Sequence, residues 1–423
     1  MSSRLGISIL SLHFPPEPTG NAPYTGALAF GLSGLGYNVT ANVGHPHYPE
    51  WKIRAGYGQW KRVEHQKGVE VRRRLHYVPR PPRGLRRLVS EVSFGLRLFF
   101  GRWGGAPVVV AASPSMFSTA LATLRVRLTP GRPALVIWVQ DIYTLGLAET
   151  GEGGGLVGRI TKWTESRTLR AADRVVTIHG RFADYVVREL GVKPERSTVI
   201  RNWTHLSSST PRSGPDSKAE LNWPLNKILA VHTGNMGAKQ GLENIVEAAR
   251  LADSSAAPIH FVLVGDGGER AGLRARARGI ARLTFVDPLD DEDYRRALAA
   301  ADVLLVNEKP GVSEMAVPSK LTSYFDAGRP IVAATDTEGI TASEIRAANA
   351  GIVIPAGHPQ ALLDAALSVG SDTAASALFG ANGRRYRQNV LDEGVAIEKW
   401  SQLVAEVASE RRKPKQGRDV PVP

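Results

Sequence analysis

Short apolar runs that each end in a glycine- or proline-bearing turn, and each lead into a helical period, recur twice along this chain of 423 residues. Such alternation specifies parallel sheets with crossover helices, because parallel strands can be joined only by long returns that bury both sheet faces. In the first series Leu5 to Ser11 reads as a strand, and Leu28, Leu32 and Leu35 share one helical face that Gly36 ends. Tyr37 to Val43 then reads as a second strand. Val108–Ala112, Ala134–Val139, Arg174–Ile178 and Thr198–Arg201 read as further strands. In the second series Ile228–His232, Ile259–Val264 and Val303–Asn307 alternate with helices at Leu242–Leu251 and Asp291–Ala300. A helix from Lys320 to Gly328 and the run Ile331–Ala334 follow. The expected fold is α/β: two Rossmann-like, doubly wound parallel-sheet domains facing a cleft.

The length is too great for one ordinary core, which agrees with two domains. Ser207 to Asp216 turns to Ser, Thr, Pro and Gly, the composition of a linker. Expected boundaries are 1–205 for the first domain, 206–220 for the linker and 221–390 for the second domain. A helix at 391–412 is expected to pack back on the first domain, and 413–423 form a basic tail. No apolar run approaches a membrane span, and Met1 to Arg4 lead into a strand without signal-peptide architecture. The absence of cysteine fits a reducing compartment and excludes thiolate chemistry.

The excess positive charge is one-sided. Residues 1–205 hold 28 Lys and Arg against 13 Asp and Glu, a balance of +15, whereas the remainder hold 25 against 27. Either the first half faces something anionic or its arginines solvate the surface. Arg72, Arg73 and Arg74 and the segment Arg80–Arg87 precede a basic amphipathic helix that runs to Trp103. That helix reads as a contact with anionic lipid through Arg86, Arg87, Arg97, Phe100 and Trp103, or as a helix packed on the first sheet. His45 and His47 flank a proline, but no carboxylate or third histidine follows at ligand spacing, so they read as loop histidines rather than a metal site.

Chemistry is expected at the carboxyl ends of the strands. The Thr19-Gly20-Asn21 turn follows the first strand. Gln140-Asp141 ends another, where Asp141 could meet a reactant or cap the next element. In the second series Gly234-Asn235-Met236-Gly237, beside Lys239 and Gly241, follows one strand, and Gly265-Asp266-Gly267-Gly268 follows the next. Glycine turns let backbone N–H groups approach a phosphate, and a lysine adds a point charge. Pro318-Ser319-Lys320-Leu321 opens a helix with free N–H groups and the positive end of its dipole.

As an ordered set these residues resemble the GT-B glycosyltransferases of the large retaining family four, of the bacterial exopolysaccharide or colanic-acid type. The resemblance spans nearly the whole chain: Pro16-Glu17-Pro18-Thr19-Gly20, Tyr48-Pro49-Glu50-Trp51, Gln140-Asp141, Ala172-Asp173-Arg174-Val175, Asn202-Trp203, the Gly234 and Gly265 turns, Ala301-Asp302-Val303, and Pro318 through Pro330. It implies transfer of a sugar from a nucleoside-diphosphate donor to a lipid-linked or polysaccharide acceptor, with retention and without a metal or other cofactor. By resemblance, Lys239 faces the donor diphosphate and Ser319 to Leu321 form the phosphate-binding helix start. Gly265 to Gly267 border the base, and Asp141 lies near the acceptor. Where many members carry acids, this chain has Ser323 and Met315, and Asn235 stands where many carry arginine. The enzyme is expected in the cytoplasm, peripheral on the inner face of the plasma membrane, with no nucleic-acid partner. The alternatives are a sugar-nucleotide epimerase of the same fold, or a noncatalytic nucleotide-sugar or nucleic-acid binder.

Overall fold

In the computed structural model the chain divides into two compact units, Met1–Asn202 with Glu393–Pro423, and Trp203–Asp392. The structure describes residues 4–18, 20–80, 84–113, 115–149, 154–203, 214–311 and 320–412. Part of the expected linker, part of the helix start at Pro318 and Ser319, Met315 and the tail at 413–423 lie outside these residues.

Unit 1 runs β1 (Gly6–Ser11), α1 (Ala22–Gly34), β2 (Asn38–Gly44), β3 (Lys61–Gln66), β4 (Val69–Arg74), α2 (Leu85–Phe99) and β5 (Val108–Ala112). It continues with α3 (Met116–Leu128), β6 (Ala134–Val139), α4 (Tyr143–Glu149), α5 (Gly155–Arg170), β7 (Arg174–Thr177), α6 (Gly180–Arg188) and β8 (Ser197–Val199). Its eight strands lie in the order β3-β4-β2-β1-β5-β6-β7-β8 and are parallel except for the β3–β4 hairpin. The central strands β5 and β6 are buried along their whole length, as their unbroken apolar runs require of strands covered on both faces. Helix α2 crosses α3 closely at Gly95, where a Cβ would stand 2.9 Å from the Ser118 Cα.

Unit 2 begins with α7 (Gly214–Glu220), a helix where the sequence reading places linker; Lys218 Nζ holds it to Asp302 at 2.6 Å. There follow β9 (Ile228–Thr233), α8 (Glu243–Ser254), β10 (Ile259–Val264), α9 (Arg270–Arg276), β11 (Leu283–Val286), α10 (Asp291–Ala300) and β12 (Val303–Asn307). The unit closes with α11 (Lys320–Ala327), β13 (Ile331–Thr335), α12 (Ile340–Ala348), β14 (Gly351–Pro355), α13 (Pro359–Ser371) and α14 (Thr373–Val390). Helix α10 starts sharply because Asp290 accepts from the N–H groups of Glu292 and Asp293 at 3.0 and 2.9 Å. The parallel sheet has the order β11-β10-β9-β12-β13-β14, with an apolar cluster on each face. The final helix, α15 (Glu393–Arg412), belongs to unit 1, where Trp400 meets Trp138 edge to face at 5.0 Å and Glu406 pairs with Arg174 at 3.1 Å.

Candidate active site

In each sheet the strand order reverses once, between β1 and β5 and between β9 and β12. At such a reversal the neighbouring turns leave in opposite directions and open a crevice at the carboxyl ends of the strands.

In unit 2 the glycine turns after β9 and β10 interlock. Gly234 and Gly265 take φ of +116° and +131°, and a Cβ on Gly265 would lie 2.1 Å from the Gly234 carbonyl oxygen. Met236, fully buried, anchors the first turn by donating its N–H to the Asp266 carbonyl at 2.8 Å and accepting from Glu269 N at 2.9 Å. Gly267 is excluded from any larger residue by the Met236 carbonyl, 2.5 Å from where its Cβ would be. Asp266 is exposed and accepts from the Gly267 N–H at 2.8 Å. Asn235 and Lys239 are exposed. Lys239 sits on a single turn of 3-10 helix, Ala238–Gln240, whose backbone is gripped by the end of β12. Lys309 N donates to the Lys239 carbonyl at 2.8 Å, and Asn307 Nδ2 donates to the carbonyls of Gln240 and Gly241 at 2.7 and 2.8 Å.

Beneath these turns Lys320, expected at the donor site, meets His232, which the sequence reading did not single out. His232 Nδ1 donates to the Leu305 carbonyl at 3.2 Å, which leaves Nε2 to accept from Lys320 Nζ at 3.2 Å. Burial, then the Lys320 charge, hold His232 well below the usual imidazole range. Burial brings the Lys320 amine down to about 7, against the pull of Glu308. Burial raises the Glu308 carboxyl in turn, while the hydroxyls of Thr335 and Thr341 donate to it, the latter at 2.6 Å. The Tyr324 hydroxyl accepts from Thr233 N at 2.9 Å and so ties α11 to the end of β9. A histidine and an asparagine ending otherwise apolar strands were the available signals. Leu321 is buried in the core.

In unit 1 Gly20, at φ +68°, follows β1, and Asn21 Nδ2 donates to the Ser113 carbonyl at 3.2 Å across the reversal. Glu17 is buried and accepts from the N–H groups of His47 and Tyr48 at 2.7 and 2.9 Å and from His13 Nδ1 at 2.8 Å. Burial pushes its carboxyl up, yet the His13 hydrogen bond and the adjoining imidazoles bring it below the ordinary value. The facing atoms of His13, Glu17 and His47 lie within 4.8 Å of one another, so the carboxylate missing after His47 comes from the preceding β1 loop. His13 Nδ1 is engaged with Glu17 and His47 Nδ1 with the His45 carbonyl at 2.8 Å, whereas the buried His47 Nε2 has no hydrogen-bond partner among the described residues; through Glu17 the three side chains clamp the loop after β1 to the segment after β2. A cavity of about 200 Å³ opens beside it, lined by His13, Gly20, Tyr48, Arg87 and Glu91 among others. Asp141 is exposed at the end of β6, accepts from Ile142 N at 2.9 Å, and does not line this cavity.

Residues 19–203 match the glycosyl transferase 4-like domain and residues 227–372 the glycosyl transferases group 1. The chain is 32% identical over 336 residues to WcaI of Escherichia coli K12, named as a colanic acid biosynthesis glycosyl transferase, covering 76% of this chain and 81% of that one. The chain belongs to the GT-B glycosyltransferases. The glycosyltransferase WbjE of Pseudomonas aeruginosa is 26% identical over 78% of this chain and 82% of its own. Among solved structures, sucrose-phosphate synthase of Thermosynechococcus elongatus has a TM-score of 0.72 at 18% identity, covering 96% of this chain and all of that one. Anabaena HepE in complex with UDP has a TM-score of 0.69 at 15% identity, covering 94% of this chain and all of that one.

In this glycosyltransferase the arginine-rich stretch of unit 1 divides between interior and surface. Arg74 is buried and Arg72, half-buried, pairs with Glu70 at 2.8 Å; both donate to the Arg102 carbonyl, at 2.8 and 3.2 Å, and Arg125 donates to the Leu98 carbonyl at 2.6 Å. Arg125 thereby satisfies a carbonyl in the last turn of α2, where cations are favoured, while the other two hold the loop beyond it. Arg73 is fully buried and pairs with Glu64. Trp103 is removed from the expected membrane set: it is 7% exposed, donates to the Leu98 carbonyl at 2.9 Å and lies under Arg125. The other four expected contacts differ in freedom. Phe100 is 81% exposed, Arg86 donates to the Arg80 carbonyl, Arg87 stands 3.6 Å from Glu91, and Arg97 stacks on Trp60 at 3.6 Å. Helix α2 buries Glu91, Phe94 and Leu98 against α3, while Leu85, Val89 and Leu96 point outward in line with Phe100.

Proposed function

We propose that this glycosyltransferase binds a nucleoside-diphosphate sugar at the turns after β9, β10 and β12 and transfers the sugar, with retention and without a metal, to a lipid-linked or polysaccharide acceptor in exopolysaccharide assembly. The interlocked Gly234 and Gly265 turns carry this reading: their own hydrogen bonds fix them side by side at the sheet's reversal, with no side chain on either glycine to bar a ligand, beside Lys239 and Lys320. The colanic-acid name of WcaI and the UDP in HepE support the acceptor class and the donor class. The bond from the anomeric carbon to the diphosphate breaks, the acceptor oxygen bonds to that carbon, negative charge passes to the departing diphosphate, and the proton of the acceptor hydroxyl leaves to that diphosphate. Lys239 and the N–H groups at the start of α11 stabilise that charge as it develops. Asp141 stands on the acceptor side. A screen of UDP-, GDP- and other sugar nucleotides for hydrolysis or transfer tests the assignment; turnover of none of them removes it.

Lys320 adds a pH dependence to donor binding. Its amine, facing His232 from β9 and Glu308 after β12, is half charged near pH 7 in the free protein, and an anion above it favours the protonated form. Below pH 7 the cation is already present. Above it, binding must also take up a proton, so affinity for UDP falls as pH rises, by up to about tenfold per unit. Calorimetry between pH 6 and 8.5 is expected to show this decline, and Lys320→Met a flat profile.

Membrane association is part of the same reading. No helix among the described residues is long and apolar enough to cross a membrane. The outward stripe of α2, with Arg86 and Arg87 exposed beside it, suits the interface of an anionic bilayer on the cytoplasmic side.

A further inference from the structure

Helix α5 carries a second exposed apolar stripe. Leu156, Val157, Ile160 and Trp163 recur at helical spacing and are each at least half exposed, Trp163 at 63%. Both α2 and α5 pack on α3, and Leu124 and Leu128 of α3 are exposed as well. A patch of this extent is unusual on a surface that meets only water.

The charges on these helices are sorted by sign. The one carboxylate of α5, Glu165, is buried and accepts from the N–H groups of Tyr143 and Thr144 at 2.8 and 3.1 Å, so it caps α4. The one carboxylate of α2, Glu91, is buried as well, and α3 has none. Arg159, Lys162, Arg167 and Arg170 of α5 are exposed, and Arg167 lies over the Trp163 ring at 5.7 Å. Lys162 is paired with Glu189 at 3.0 Å; the other charged side chains exposed on α5 are arginines. A second copy of this chain seated on the same patch would set cation against cation, whereas anionic head groups meet both the charges and the apolar side chains.

We propose that α5 is a second membrane-docking element, so that unit 1 sits on an anionic bilayer through the α2–α3–α5 face with Trp163 in the head-group region. The proposal rests on the reading that the enzyme works at a membrane surface and adds to it a footprint too broad for one helix. Phosphatidylglycerol-containing and pure phosphatidylcholine vesicles are the probes, in flotation of the full chain, Ile160→Glu/Trp163→Glu and Leu96→Glu/Phe100→Glu. The substituted positions are exposed, so folding is expected to survive, and retained UDP binding checks it. The expected result is flotation only with the anionic vesicles, reduced by about tenfold or more in each double variant. Trp163→Phe is expected to remove most of the fluorescence blue shift seen on vesicle addition. If the α5 variant floats as the parent while the α2 variant does not, α5 docking is overturned and the α2 contact stands. If the parent itself does not float, both membrane readings fall. A lipid-free dimer that the α5 substitutions disperse, detected by light scattering, would also overturn the proposal in favour of self-association.

Discussion

Replacement of Lys239 with alanine is expected to lower kcat/KM by about 10²–10³-fold, the scale of losing one donor to a charge that grows in the transition state. The turn that carries Lys239 is held by main-chain contacts from Lys309 and Asn307, so truncating the side chain leaves its geometry in place. The thermal midpoint should therefore stay near that of the parent. Steady-state kinetics with the donor found in the screen, alongside thermal unfolding, separate the outcomes. Parental turnover in Lys239→Ala would refute the charge-stabilising role, because Lys320 would then suffice.

Gly265→Ala is expected to act on the same site through the backbone. The new methyl group would stand 2.1 Å from the Gly234 carbonyl oxygen at a φ of +131° that L-residues rarely adopt. Backbone cannot rotate away as a flexible side chain can, so the two turns must separate. We expect a loss of about 2–4 kcal/mol of stability in unit 2 and loss of UDP binding at concentrations that saturate the parent. Gly268→Ala is the control, because nothing lies within 4 Å of the Cβ it would add. Equal UDP affinity in Gly265→Ala and Gly268→Ala would show that the interlocked turns are not the donor site.

The alternation of apolar runs and helical periods was legible because a parallel strand buried on both faces must be apolar nearly throughout, as β5 and β6 are along their whole length and β9 and β10 are but for His232, Thr233 and His260. The glycine turns were legible for a similar local reason: positive φ selects glycine wherever it falls in the fold. The short edge strands β11 and β14 were not singled out, since four or five residues with partly exposed faces give little periodic signal. Helix α7 was hidden by its Ser-, Pro- and Gly-containing sequence and is held by its packing on α10 and the Lys218–Asp302 pair.

Side-chain roles divided along the same line. Arg74 and Trp103 are, as letters, equally suited to a surface or an interior, and they go inward because the Arg102 carbonyl, the end of α2 and Arg125 are brought to them by the fold. Glu17 reaches the His47 and Tyr48 N–H groups, and Lys320 reaches His232 across 88 positions. The sequence alone determined two parallel-sheet domains and the glycine turns at their strand ends, because strand burial and left-handed backbone are properties of a residue and its near neighbours, and its ordered motifs carried the resemblance to the glycosyltransferase family. Tertiary structure decided which arginines are spent inside, which lysine lies beneath the glycine turns and which helices show apolar stripes to solvent. Burial and charge pairing depend on groups that only folding brings together.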